Sequence, residues 1–224
     1  MTAQVPVYIE TGKRYVFATA IDHPGWSRRG SDEASALQAL CESGPRYERA
    51  LRSVRKIALP RSIEGFEIAE RFEGDSSTDF GVPSKPASAD AKTLNAKDLK
   101  TWLAVLEACW QAFGDSASSH AKSTLRTGPR GGGRDVDRMW AHVVEGQYAY
   151  LRQVGGRFDS KAKDRERLWT LLQEEFVASI RARIKGDLPA IGPKGGARWS
   201  PRYAIRRSAW HALDHAWEIE DRAL

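Results

Sequence analysis

Cysteine is nearly absent: Cys41 and Cys109 are the only two in 224 residues, and they show no metal-binding or redox spacing. A disulfide scaffold and a Cys-x-x-Cys centre are thereby excluded, and a reduced, cytoplasmic protein is the expectation. Long hydrophobic runs are missing too. No stretch of about 18 apolar residues occurs, so neither a transmembrane helix nor a membrane partner is expected. The opening residues, Met1 to Tyr8, carry neither a basic segment nor an apolar one, which argues against a signal peptide. There is no internal repeat. No helix-turn-helix or RNA-binding signature occurs, so no nucleic-acid partner is expected. Histidine is scarce as well, with five in the chain.

What is present is enough apolar material for real cores: 41% hydrophobic residues, with eight tryptophans. The net charge of +6 is uneven. Residues 1–90 hold 12 Lys and Arg against 13 Asp and Glu, and residues 91–224 hold 23 against 16. The basic excess of the second half could serve nucleic acid, an acidic membrane surface or small anionic ligands; its interleaving with acids argues against nucleic acid, and a small anionic or electrophilic molecule is the expected partner.

The composition changes at residues 74–93, which are rich in Ser, Pro, Gly and Asp and read as a linker. Before it, residues 1–73 give the order ββα(α)β. Val5 to Glu10 and Arg14 to Ile21 form a hairpin around Thr11-Gly12-Lys13, and Asp22-His23-Pro24-Gly25 breaks it. Ser31 caps a helix from about Asp32 to Cys41, a second short helix runs from Arg46 to Lys56, and Ile63 to Phe72 alternates as a third strand. After the linker, residues 94–224 read as four amphipathic helices. They span about Asn95 to Ser118, Asp135 to Val154, Ser160 to Lys185 and Pro201 to Arg222, with glycine-rich connections at Arg126 to Arg134 and Gly186 to Ser200. The expected fold is a small α+β domain followed by an all-α four-helix bundle.

Three of the five histidines fall on two of those helices. His211 and His215 are four residues apart, which stacks both imidazoles on one helical face. His142 lies near the start of the second helix of the second half. Three neutral imidazoles plus water are a standard coordination set for a catalytic divalent metal. Two histidines on one face would otherwise compete for partners in a dry core, and a shared cation accepts both lone pairs. Glu145, one turn after His142, either orients an imidazole, accepts a proton from metal-bound water, or is a solvated charge. Arg138 and Arg207 each lie four residues before a candidate ligand. They serve either an anionic ligand group or surface ion pairs. Cys109, Trp210 and Trp217 read as core.

On these residues the second half, about 94–224, resembles the DinB-like metalloprotein superfamily, which includes bacillithiol transferases and mycothiol-dependent maleylpyruvate isomerases. Members are four-helix bundles with a histidine on the second helix and a His-x-x-x-His pair on the fourth, matched here by His142, His211 and His215. Many members carry a further histidine one turn later, where this chain has Ile219. Asp214 and Glu218 therefore stand as fallback ligands or as partners behind the ligands. The resemblance implies a divalent metal, zinc or nickel, and a transferase or isomerase that uses a low-molecular-weight thiol. Metal-activated water in a hydrolase is the near variant. A non-catalytic binding or stress-response module with a structural or vestigial metal is the alternative, and homodimerisation is left open.

Residues 5–73 resemble the HicB-like antitoxin fold, through Phe17 to Gly25 and the Gly30-Ser31-Asp32-Glu33-Ala34 segment that opens a helix. The DNA-binding segment usual in that family has no counterpart here. A docking or ligand-sensing accessory domain is the expectation. His23, in the Pro-Gly turn, needs no functional role.

Overall fold

The computed structural model describes residues 4–54, 59–128 and 133–224. Residues 55–56 of the expected second short helix and residues 129–132 of the first glycine-rich loop lie outside them. The chain divides into two compact units, Met1–Ala91 and Lys92–Leu224.

The first unit is α+β. Strands β1 (Val5–Thr11), β2 (Val16–Ala20), β3 (Ser27–Gly30) and β4 (Phe66–Glu73) form one sheet in the order β3-β2-β1-β4. β1 pairs antiparallel with β2, with Ile9 opposite Ala18, and parallel with β4, with Val7 opposite Ile68. Helix α1 (Glu33–Ala50) packs on β2 and β3. Asp32 starts it with a capping box on Ser35.

Two local readings change. No element is read from the sequence at β3, where Ser-Arg-Arg-Gly has no apolar alternation. The turn at Gly25, with φ 92°, reverses the chain, and Ser27 then pairs with Thr19 through both backbone and hydroxyls 2.6 Å apart. The order is thus βββαβ. In place of the two expected helices, one from Asp32 and one from Arg46, a single helix, Glu33–Ala50, runs through Pro45, and residues 51–54 are turn. Proline removes one helical donor, but Leu40, Cys41, Gly44 and Tyr47 share one buried face. There Trp26 stacks on Tyr47 at 5.6 Å, and the Tyr47 hydroxyl donates to the Pro24 carbonyl at 2.8 Å.

The expected linker, 74–93, is also corrected. It carries helix α2 (Ser76–Phe80) and a 3₁₀ turn (Ser88–Ala91), and most of it belongs to the first unit. β1 is buried on both faces, and Tyr8 and Ile21 pack against Ala87. Glu10, fully buried, accepts hydrogen bonds from Thr78 Oγ1 (2.5 Å), Ser84 N (2.9 Å) and Lys85 N (3.0 Å). A low-complexity composition reports weak local propensity. It does not report hydrogen bonds made to a distant carboxylate.

The second unit is helical: α3 (Ala96–Ser119), α4 (Val136–Val154), α5 (Arg165–Lys185) and α6 (Pro201–Arg222). The side chains of Asn95, Asp135, Asp164 and Ser200 cap all four starts. Pro201 sits in the first turn of α6, where its missing donor is not needed. α6 is the central element, buried at sixteen of its positions and packed on α3 and α4, while α5 packs on α4. Polar bonds fix the register: Trp110 Nε1 donates to Ser208 Oγ (3.0 Å), which donates to Gln147 Oε1 (2.5 Å). Trp110, Phe113, Trp140, Trp169 and Phe176 form the aromatic core, with ring centroids 5.5–6.2 Å apart. Among the described residues no helix is long and apolar enough to cross a membrane.

Candidate metal centre

α4 and α6 run antiparallel, and each presents a stripe with a four-residue step to the other. On α4 the stripe is His142, Gly146 and Tyr150. On α6 it is Arg207, His211 and His215, continued by Glu218 and Arg222. His142 meets both histidines of α6: its ring centroid lies 5.1 Å from that of His211 and 4.8 Å from that of His215, and the latter two are 4.7 Å apart. One ligand atom from each lies within 4.8 Å of the others. The three histidines read from the sequence are therefore brought together.

The closest approach is informative. Nε2 of His142 and Nε2 of His211 are 3.3 Å apart. Two imidazoles on a tetrahedral metal, each about 2.0–2.1 Å from it, hold their nitrogens about 3.3–3.4 Å from one another. The pair thus already has the edge length of such a site. His215 is oriented from behind: its Nδ1–H donates to Glu218 Oε2 at 2.9 Å, which leaves the Nε2 lone pair free of that bond. A carboxylate behind a histidine is the usual way a ligating imidazole is fixed in tautomer and orientation. Glu218 is itself held by Arg222 Nη1 at 2.8 Å, and Arg222 also donates to the carbonyls of Arg126 (2.7 Å) and Arg134 (3.1 Å).

The electrostatics favour an uncharged imidazole at His211, which is 7% exposed. Burial, then the positive character of His215, His142, Arg207 and Arg134, holds His211 well below its ordinary value, so its lone pair is free near neutral pH. Burial alone would raise Glu218, but the hydrogen bonds and charges of His215 and Arg222 override it and hold the carboxyl at about 2.

Gly146 was not singled out in the sequence. A Cβ there would stand 2.9 Å from His211 Nδ1 and closer still to Cε1, so only glycine lets this imidazole lie against α4. Tyr150 was missed as well. Its ring lies 5.5 Å from that of His211, and its hydroxyl accepts a 3.3 Å hydrogen bond from Arg207 Nη2. The signal for both was their four- and eight-residue offsets from His142.

Arg207 lies beside the group. It is 7% exposed, its guanidinium lies 4.8 Å from the Trp210 ring, and it neighbours His211. Arg138 and Glu145 are not brought in. The Arg138 side chain is 75% exposed and paired with Asp135 at 3.7 Å. Glu145 is exposed, with no bond to the histidines among the described residues. Helix geometry explains both. At about 100° per residue, Arg138 and Glu145 fall about 40° and 60° to one side of His142. Gly146 and Tyr150 fall about 40° and 80° to the other, which is the side of α6. Asp214 is half-buried and lies outside the three-histidine group, while Glu218 is hydrogen-bonded to His215. Burial pushes the Cys109 thiol up, in keeping with a core residue and not a nucleophile.

Comparison of the chain with protein-family models, with curated proteins and with solved structures finds no match.

Proposed function

We propose that the second unit is a DinB-like four-helix bundle whose His142, His211 and His215 hold one divalent metal ion, zinc or nickel, in a metal-dependent enzyme. The observation that carries this reading is the convergence of the three imidazoles from two antiparallel helices, with a carboxylate behind one of them. Three protein ligands leave a coordination position open, which is the pattern of catalytic sites; structural sites are closed by four. The metal would supply Lewis-acid activation of a bound thiol, or of water, near neutral pH. His215 and Glu218 keep the ligand set oriented, and Arg222 keeps Glu218 ionised and tied to the histidine. Gly146 admits the His211 ring. The half-buried His142 marks the more accessible side of the group, where a small molecule could enter.

The reaction proposed is transfer of a low-molecular-weight thiol to an electrophile, or an isomerisation through such an adduct. A closed structural site would need a fourth protein ligand. Glu218, the carboxylate on His215, is already bound by His215 and Arg222, which favours the enzyme. The first unit is proposed as an accessory domain of HicB-like form. The test is a thiol-transfer screen with model electrophiles on metal-loaded and metal-stripped protein. Turnover that requires both the metal and His142 supports the reading. Stoichiometric metal without turnover of any thiol–electrophile pair turns it toward the structural role.

A further inference from the structure

Arg222, in the last turn of α6, is 6% exposed, and each of its three guanidinium nitrogens has a partner. Nη1 donates to Glu218 Oε1 at 2.8 Å, while the other oxygen of that carboxylate accepts from His215 Nδ1. Nε and Nη2 donate to the carbonyls of Arg126 (2.7 Å) and Arg134 (3.1 Å), which stand toward the two ends of the α3–α4 connection. Gly128 is buried, and a Cβ on it would come within 3.3 Å of the Arg222 Cζ, so its backbone lies against the guanidinium. The end of α6 is stitched to the same stretch. Arg126 N donates to the Arg222 carbonyl at 2.8 Å, Leu224 N donates to the Thr124 carbonyl at 3.1 Å, and Leu125 bridges Ala223. An arginine that served only as a helix cap would aim its donors at the last carbonyls of its own helix. Among the described residues, no side-chain bond of Arg222 goes to an α6 carbonyl.

We propose that Arg222 is a positioning residue for the metal centre, and that it makes metal binding and the docking of the α3–α4 connection depend on each other. This rests on the metal reading above. A metal on His215 fixes the imidazole, and the imidazole fixes Glu218 through Nδ1. Glu218 then fixes one edge of the Arg222 fork, and because the guanidinium is planar its other edge is aimed at the two carbonyls. The coupling is reciprocal: a metal that steadies the connection is itself bound more tightly when the connection is docked. Charge alone predicts the opposite sign. A cation repels a nearby dication, so removing Arg222 would tighten metal binding if only its charge mattered. Loss of position weakens it.

The experiment uses the full chain and zinc, titrated in competition with a chromophoric chelator, together with amide hydrogen exchange. Arg222→Gln should bind zinc about tenfold more weakly, the lower end of what a residue behind a ligand costs. Arg222→Lys, which keeps the charge but not the fork, should fall between that variant and the wild type. Glu218→Ala should cost at least as much, and the double variant should be no weaker than Glu218→Ala alone, because Arg222 acts through that carboxylate. Arg138→Gln, which removes a surface charge, should keep the wild-type affinity. Zinc should slow exchange of the Arg126 and Leu224 amides in the wild type and leave it unchanged in Glu218→Ala. An affinity that is unchanged or tighter in Arg222→Gln, or losses that add in the double variant, overturn the role while leaving the metal site standing. If the Arg222 variants do not fold, the exchange comparison decides, and amides indifferent to zinc in the wild type overturn the coupling. A chain that takes up no zinc overturns the metal reading and this inference together.

Discussion

Gly146→Ala separates a metal-centre role from ordinary helix packing, because the two predict opposite signs. In a helix interior alanine is favoured over glycine by about 0.5–1 kcal/mol. As a packing change alone, the substitution should therefore stabilise α4. The added Cβ, however, would stand 2.9 Å from His211 Nδ1, where unstrained contact begins near 3.4 Å. The imidazole must swing away by about half an ångström or more, beyond the ±0.2 Å that ligand distances tolerate. Misorienting a ligand typically lowers metal affinity about 10–100-fold, or about 1.4–2.7 kcal/mol. The assay is a zinc competition titration against a chromophoric chelator, paired with thermal unfolding in excess chelator. The metal-free variant should melt at the wild-type temperature or a few degrees above it, at about 2–4 °C per kcal/mol for a chain of this size. Its zinc affinity should fall at least about tenfold. Gly114→Ala, in α3 with open space around the added carbon, is the internal control and should gain stability without touching the metal. A Gly146→Ala protein with zinc affinity within twofold of wild type would refute the placement of His211 in the site.

The remaining predictions concern pH and the first unit. His211 has a folded value well below its ordinary one, so the unfolded metal-free chain binds more protons, and stability should fall as pH drops below about 6.5. Glu218, depressed from 4.5 to about 2, adds stability that is present above pH 4.5 and lost as pH falls toward 2. A melting temperature of the metal-free protein that stays flat from pH 7.5 to 5.5 would contradict the His211 assignment. Glu10→Ala leaves the donors on Thr78, Ser84 and Lys85 without their acceptor. It should destabilise the first unit by on the order of 3 kcal/mol, read in a denaturant titration, and a loss under 1 kcal/mol would show that this clamp is not structural. Limited trypsin digestion should cut at the exposed Lys161 and Lys163, in irregular chain before α5, ahead of Lys85. Lys85 is paired with Asp75 at 3.1 Å, and early cleavage there would restore the linker view of residues 74–93.

The four long helices were legible because apolar spacing, side-chain caps and a first-turn proline agree with one another. The histidine triad was legible because scarcity and four-residue spacing survive in one dimension. β3 was not: four residues with two arginines show no pattern until a neighbouring strand supplies one. Pro45 hid the continuity of α1, since local propensity is overridden there by a shared buried face. Residues 74–93 looked like a linker because their partner, Glu10, lies far away in sequence. Arg138 and Arg207 have the same offset from a histidine. Only the side from which α6 approaches α4 decides that one is exposed and the other buried. That same fact makes Gly146 and Tyr150 part of the site and leaves Glu145 outside it.

The most direct test of the central claim is the metal content of protein expressed without a histidine tag, measured by elemental analysis beside His211→Ala and His215→Ala. One equivalent of divalent metal per wild-type chain is predicted. Both variants should lose it while their far-ultraviolet circular dichroism stays that of a helical protein. Full metal occupancy in either variant, or none in the wild type after loading, would contradict the account.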